Sequence, residues 1–171
     1  MELIELIKQR RSIRVFTRQA VEESKLQDVL LAASAAPSAG NLQAYEIFVV
    51  RDARRRKELA AAALAQELVA QAPVALVFCA HPALSEGRYR ERGRSLYSIQ
   101  DATIACTFAM LAVTNLGLAT TWVGAFSDEA VWKVIGSPQG VQPVAILPIG
   151  YPGERPRPTP RRPLKGLAHE V

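Results

Sequence analysis

The sequence predicts an α+β fold in which helices cover a single four-stranded sheet. Short apolar runs with strand character are interspersed with longer segments of helical periodicity. Hydrophobic residues make up 49% of the 171 residues, which is enough for one substantial core. No internal repeat divides the sequence. We therefore expect a single domain over residues 1–171, with an extended C-terminal arm over residues 155–171.

The N-terminal part is predicted to contain two helices separated by a basic segment. Leucine and isoleucine recur among charged residues over 2–10, which is typical of an amphipathic helix. Residues 10–16 follow, with three arginines and a serine within five positions. A second helix is predicted over 22–36. It ends at Pro37 because the residue before a proline avoids helical backbone angles.

The middle of the sequence is predicted to alternate between strands and helices. Buried strands are predicted over 46–51 and 74–79, with an alanine-rich helix over 54–70 between them. Residues 81–95 are polar and basic, so we interpret them as a loop or a short, weakly ordered helix.

The C-terminal half is predicted to begin with the longest helix, over 96–116. Apolar residues occur on all sides of this helix, which is typical of a buried helix at the centre of a domain or a dimer. The remaining expectations are a strand over 120–126, a helix capped by Ser127 and ending at Ile135, and a strand over 144–149. Prolines from position 152 onward predict an extended tail.

Charge and composition limit the kinds of ligand and location that we expect for this protein. The net charge of +5 suits an anionic ligand. Most basic residues fall into four separate groups, and the sequence shows no recognisable recognition helix, so we do not expect nucleic-acid binding. Cys79 and Cys106 lie in apolar runs and are expected to be buried free thiols. The acidic N-terminus is no secretory signal, and the apolar run over 102–113 is too short to span a bilayer. We expect a soluble, cytoplasmic protein without membrane contact.

Motifs for direct catalysis by side chains or metals are absent from the sequence. It contains no GxGxxG after a strand, P-loop, HExxH, CxxC or GxSxG, and it has only two histidines. Asp101, near the start of the long helix, is expected to have a structural role rather than a catalytic one. If the protein is an enzyme, a cofactor is expected to carry the reaction.

Four segments could hold such a cofactor. The basic segments at 10–14 and 161–165 could clamp one phosphate, since arginine presents a planar fork of donors. The small-residue loop over 37–43 could grip a heterocycle through its Asn and Gln amides. The glycine turn at 124–125 could offer backbone N–H groups. Each segment alone is equally compatible with a solvated basic turn or an ordinary connecting turn.

Taken together, five segments resemble the FMN-dependent nitroreductase family. They are RRSIRVF at 10–16, APSAGNLQ at 36–43, GLATTWVGAF at 117–126, PIGYP at 148–152 and RRPL at 161–164. Their order and spacing cover nearly the whole chain. The resemblance implies a nitroreductase-like fold, with a central, mostly antiparallel sheet flanked by helices, assembled as an intertwined homodimer with FMN at the subunit interface.

The resemblance also implies the residues that bind FMN. The basic segment and the tail would hold the phosphate and ribityl chain, the 37–43 loop would meet the flavin from the partner subunit, and the 124–125 turn would contact its N5 and O4 edge. The implied set is Arg10, Arg11, Ser12, Arg14, Pro37, Ser38, Ala39, Gly40, Asn41, Gln43, Gly124, Ala125, Arg161 and Arg162. No catalytic side chain and no metal is implied.

The implied activity is ping-pong electron transfer, in which NADH or NADPH delivers hydride to flavin N5 and a small-molecule acceptor such as a nitroaromatic or quinone then takes the electrons. Two alternatives stay open: specialised flavin chemistry on the same fold, such as dehalogenation or flavin breakdown, and an FMN-binding protein without turnover. The resemblance also leaves open which nucleotide is the reductant and whether residues 81–95 form a lid.

Overall fold

The computed structural model describes residues 2–171, and within them four strands form one sheet in the order β1-β2-β4-β3. All three ladders are antiparallel, so the predicted antiparallel sheet is confirmed. The strands are β1 (Tyr45–Val50), β2 (Val74–Ala80), β3 (Ala119–Thr120) and β4 (Gln142–Gly150). The helices are α1 (Leu3–Gln9), α2 (Glu23–Ser34), α3 (Ala53–Ala62), α4 (Leu68–Gln71), α5 (Pro82–Arg92), α6 (Ser98–Asn115) and α7 (Asp128–Val134).

Helices cover both faces of the sheet. The sequence of β2 explains why both faces must be covered. Successive side chains on a strand point to opposite faces. Leu76 and Phe78 pack in the cluster that contains α2 and α6, whereas Val77 and Cys79 pack in the cluster that contains α3, α4 and α7. All seven residues of β2 are buried. The continuous apolar run of this strand therefore reflects burial on both faces.

The segment predicted as a loop or short, weakly ordered helix is an eleven-residue helix, α5, so the loop interpretation is wrong. Pro82 occupies its first turn, where a missing N–H costs nothing. A π-helical turn over Gly93–Tyr97 joins α5 to α6. A Cβ at Gly93 would overlap the carbonyl oxygen of the buried Ser85, so glycine lets this turn pack against α5.

The helical stretch Pro82–Asn115 has the length and composition to cross a membrane, a test that core helices of soluble proteins also pass. Residues of α6 pack in one cluster with residues of β2 and β4, and its Asp101 is 1% exposed. We therefore interpret α6 as a core helix that packs against the sheet.

Two other predicted elements are shorter than expected. The helix predicted over 54–70 is divided into α3 and α4, because Leu64 and Ala65 adopt positive φ angles of 57° and 59°. The strand predicted over 120–126 is β3 alone, followed by an isolated bridge between Val123 and Ile146. The helix cap at Ser127 is confirmed, since its hydroxyl accepts from the Ala130 N–H at 3.3 Å.

The C-terminal arm is exposed throughout residues 161–171. Over residues 155–171 the one regular element is a 3-10 helix at Leu164–Gly166. The prolines of this arm disfavour longer helices.

Candidate cofactor site

The basic segment is held in place by both backbone and side-chain contacts. Ile13 is buried, and its N–H donates to the Thr120 carbonyl at 3.1 Å. The carboxylate of Glu154 accepts from the backbone N–H groups of Arg14, at 2.6 Å, and Val15, at 3.2 Å. The segment is therefore fixed against β3 and the chain after β4, as a binding arm requires.

Arg10 carries the most informative side chain of this segment. Its Nη1 is buried and has no hydrogen-bond partner among residues 2–171. Burial, followed by the positive charges of Arg161 and Arg11, lowers the pKa of Arg10. A buried donor without a partner is costly, and an anion would both satisfy it and offset the like charges. The unpartnered nitrogen and the like charges around it are therefore features that an anionic ligand would stabilise.

The other predicted basic residues divide into two groups. Arg161 is close enough to Arg10 to affect its pKa, and Arg11 donates to the Arg10 carbonyl at 2.9 Å. The Arg162 guanidinium instead donates to the Gly166 carbonyl at 2.6 Å, within its own turn. The structure therefore brings Arg10, Arg11 and Arg161 together and leaves Arg162 outside this group. The side chain of Arg14 is exposed, while Ser12 is half-buried and forms a β-bridge with β3.

The 37–43 loop is a tight turn anchored by Asp101. Gly40 and Asn41 have φ angles of 58° and 57°, a region that glycine adopts freely and asparagine tolerates. The Asp101 carboxylate accepts from the N–H of Ala39 at 2.9 Å and from that of Ala44 at 3.3 Å. Asp101 therefore holds both sides of the loop, which confirms its predicted structural role.

Polar groups of the loop partly satisfy one another. The Gln43 amide donates to Asn41 Oδ1 at 2.9 Å, and the Gln43 N–H donates to Ser38 Oγ at 3.0 Å. Pro37 and Gly40 are exposed, and Ala39 is half-buried. The loop is thus preformed, and within residues 2–171 the Asn41 amide N–H₂ donates no hydrogen bond, so it is available to a ligand.

The 124–125 turn presents exposed backbone. Neither the Gly124 nor the Ala125 N–H donates to another group in the described part of the chain, and both residues are exposed. A Cβ at Gly124 would lie 2.8 Å from Trp122 Nε1, so only glycine fits this turn without rearrangement. The Gln66 amide donates to the Ala125 carbonyl at 3.1 Å, which ties the α3–α4 connection to the turn.

One chain does not bring all these segments together. The loop is bonded to Asp101 near the start of α6, whereas the basic segment lines a cleft with Thr114 near its end. Thirteen residues at a rise of 1.5 Å place these two positions roughly 20 Å apart. The basic segment and the loop therefore form two half-sites at opposite ends of α6.

Three contact groups were not found from the sequence: Glu154, Gln66, and the pair Arg88 and Tyr89 on α5. Arg88 Nη1 lies 3.4 Å from the Gly40 carbonyl. Glu154 could have been found from the sequence, because it is the sole acidic residue between positions 129 and 170, in a region that is otherwise basic. Gln66 and Arg88 carried none, since their contacts depend on the tertiary fold.

Both cysteines are buried free thiols, as predicted. Burial, with a smaller effect of Glu46, raises the pKa of Cys79 to about 12, and burial raises the pKa of Cys106. Thiols with raised pKa values are poor nucleophiles at neutral pH. No group of three or more His, Cys, Asp or Glu side chains suited to a metal ion occurs within residues 2–171.

Comparison with known proteins identifies relatives along nearly the whole chain. The family model described as "Nitroreductase family" matches residues 7–70 and 61–151. An NADH dehydrogenase of Thermus thermophilus is 32% identical over 184 residues, covering 91% of this chain and 89% of that protein. The FMN reductase (NAD(P)H) of Bacillus subtilis is 32% identical over 182 residues, covering 99% of this chain and 73% of that protein.

A solved structure agrees with these matches. The NADPH:FMN oxidoreductase from Vibrio harveyi, complexed with NAD+, superimposes with a TM-score of 0.89 at 29% identity. The superposition covers 98% of this chain and 76% of the other. The similarity therefore extends over the fold as a whole and includes both half-sites.

Proposed function

Because the chain belongs to the nitroreductase family, we propose that it is an FMN-dependent oxidoreductase that uses NADH or NADPH to reduce nitroaromatic, quinone or similar small-molecule acceptors. The observation that carries this proposal is the buried, unpartnered Nη1 of Arg10 beside Arg11 and Arg161. This arrangement fits a phosphate monoester. Relatives named FMN reductase and NADPH-flavin oxidoreductase support the same cofactor.

The residues have distinct roles in this proposal. Arg10, Arg11 and Arg161 hold the FMN phosphate, and Ser12 and Arg14 lie along the ribityl chain. The backbone N–H groups of the 124–125 turn face the polar edge of the flavin. They would stabilise negative charge there without a proton transfer from a side chain. Arg162 would join the phosphate clamp only by leaving the Gly166 carbonyl.

The opposite flavin face is assigned to the 37–43 loop of a second copy of the chain. Residues Pro37, Ser38, Ala39, Gly40, Asn41 and Gln43 form this surface. Bound FMN supplies hydride acceptance at N5 and onward electron transfer to the acceptor. The protein orients the ring, holds the phosphate and limits access of water. A single open face would be shared in turn by the reductant and the acceptor, which is the basis of ping-pong kinetics.

We further propose a homodimer located in the cytoplasm. Leu3 and Ile4 of α1 are each 61% exposed, and Phe108 of α6 is 38% exposed, so an apolar surface is available for a second copy. The buried free thiols suit a reducing compartment.

Cofactor binding provides the test. The purified protein should be yellow, and denaturation should release FMN. Arg10→Ala should weaken FMN binding by about 1.5–3 kcal/mol, because a hydrogen bond to a charged group is lost. Arg18→Ala is the matched control, since Arg18 is exposed and has no hydrogen bond within residues 2–171. Anaerobic bleaching by NADH or NADPH then tests the reductive half-reaction. A protein that neither carries nor rebinds FMN would contradict the proposal.

A further inference from the structure

Aromatic and cationic side chains form a continuous cluster beside the 37–43 loop. Arg88 lies next to Gly40, and its Cζ is 5.4 Å from the centre of the Tyr89 ring. The Tyr89 and Tyr97 rings meet edge to face, with centroids 5.1 Å apart. Arg92 lies 5.3 Å from the Tyr97 ring and donates to its hydroxyl at 2.9 Å. We refer to Arg88, Tyr89, Arg92 and Tyr97 as the α5 cluster.

The α5 cluster contains positive charge that the protein does not neutralise. Neither Arg88 nor Arg92 takes part in any of the ion pairs described within residues 2–171. Both side chains are exposed. The single bond of Arg88, at 3.4 Å to the Gly40 carbonyl, is long and leaves most of its donors available.

The α5 cluster is packed directly on the loop. A Cβ at Gly40 would lie 2.5 Å from the Tyr89 hydroxyl and 2.8 Å from Arg88 Nη1. The Arg88 guanidinium and the Tyr89 ring therefore border the surface that the loop presents. Farther along the segment, Tyr97 packs edge to face against the Tyr89 ring, and Arg92 in turn donates to the Tyr97 hydroxyl.

We propose that Arg88 and Tyr89 select the electron acceptor by binding planar aromatic compounds that carry a carboxylate. The guanidinium can bind a carboxylate through two parallel hydrogen bonds. The half-buried Tyr89 ring offers an edge or face to the aromatic part of the same molecule. This inference rests on the proposed function, because it assumes that the neighbouring loop contacts the flavin.

Binding of non-reducible acceptor analogues tests the inference. Benzoate and benzamide have nearly the same shape and differ in charge, so calorimetric titration of each into the FMN-loaded protein isolates the carboxylate contribution. Benzoate should bind about tenfold more tightly, as expected for hydrogen bonds to a charged group. Arg88→Gln should remove this preference and leave benzamide binding unchanged. Arg88→Lys should retain part of it, since lysine keeps the charge without the fork.

Arg94→Gln is the matched control. Arg94 is exposed and lies on the same segment, and its substitution removes the same charge as Arg88→Gln. It should leave the preference for benzoate intact. The Michaelis constants for 4-nitrobenzoate and 4-nitrobenzamide should show the same pattern in turnover.

Two results would overturn the inference. One is equal affinity of the wild-type protein for benzoate and benzamide. The other is an Arg88→Gln variant that keeps the benzoate preference while its KM for NADPH rises. That result would show that Arg88 binds the reductant and not the acceptor. Anaerobic bleaching separates failure of this inference from failure of the proposed function. If NAD(P)H reduces the bound flavin but the protein shows no preference for benzoate, this inference alone is refuted. If the protein does not bind FMN, both are refuted.

Discussion

Replacing Asp101 with asparagine tests whether this buried carboxylate shapes the cofactor loop. Asp101 is 1% exposed and accepts two hydrogen bonds, from the N–H groups of Ala39 and Ala44. Asparagine keeps one acceptor oxygen and turns the other position into a donor that faces an N–H. We therefore expect one of the two bonds to be lost, with a cost of about 1.5–3 kcal/mol for a hydrogen bond to a charged group.

That cost predicts a measurable loss of stability. A chain of this size loses about 2–4 °C in Tm per kcal/mol, so the Tm of the FMN-free protein should fall by roughly 3–12 °C. FMN binding should weaken as well, because the loop is no longer held on both sides. Thermal unfolding followed by circular dichroism and fluorescence titration with FMN measure the two effects.

Asp28→Asn is the matched control for this substitution. Asp28 is an exposed residue of α2 without a hydrogen bond from its side chain within residues 2–171. An Asp101→Asn protein with the Tm and FMN affinity of the wild type would refute the assigned role. A lower Tm with unchanged FMN affinity would show that Asp101 stabilises the fold without shaping the cofactor surface.

Three further predictions concern the arm, the thiols and the acid range. Glu154→Gln should weaken FMN binding, because it loosens the basic segment; unchanged affinity would argue against this anchor. Cys79 and Cys106 should not react with a thiol reagent until the protein unfolds, and rapid labelling of the native protein would contradict their burial. Arg51 lowers the pKa of Glu23 to about 2, so the stabilising pair persists above pH 4.5 and is lost as pH falls towards 2. The stability difference between wild type and Glu23→Gln should vanish over this range, and a constant difference would refute it.

Much of the fold was predictable because local pattern and tertiary environment agree. β2 is a continuous apolar run, and it is buried on both faces between the two helical layers. Ser127 is followed by two acidic residues, and its hydroxyl caps α7. In both cases the sequence signal and the final structure have the same physical cause.

The break between α3 and α4 was not predictable, because nothing local requires it. Leu64 and Ala65 are neither glycine nor proline, and alanine-rich sequence favours a continuous helix. The chain nevertheless turns there, and Gln66 reaches the Ala125 carbonyl while Val69 is fully buried. Long-range packing outweighs helix propensity at this point.

The candidate site was predictable as a set of segments and not as a set of contacts. The arginines of the basic segment were identified by their spacing, but the acid that anchors the segment, Glu154, is 140 residues from Arg14. The contacts of Arg161 and Arg162 were not predictable either. Arg161 lies near Arg10, whereas Arg162 donates to a carbonyl within its own turn. Sequence adjacency does not determine which of two arginines lies near Arg10.

The two half-sites at the ends of α6 lead to a prediction about concentration. Exposed apolar residues of α1 and α6, including Leu3, Ile7 and Phe108, line one groove beside this helix. A two-fold symmetric contact through this face would place the loop of one copy near the basic segment of the other. FMN affinity should therefore fall as the protein is diluted below the dimer dissociation constant. Sedimentation equilibrium and flavin fluorescence, measured over the same concentrations, should change together. Ile7→Glu should cause dissociation and FMN release at higher concentrations than the exposed control Leu64→Glu. Full FMN affinity in a monomeric Ile7→Glu protein would show that one chain completes the site by itself.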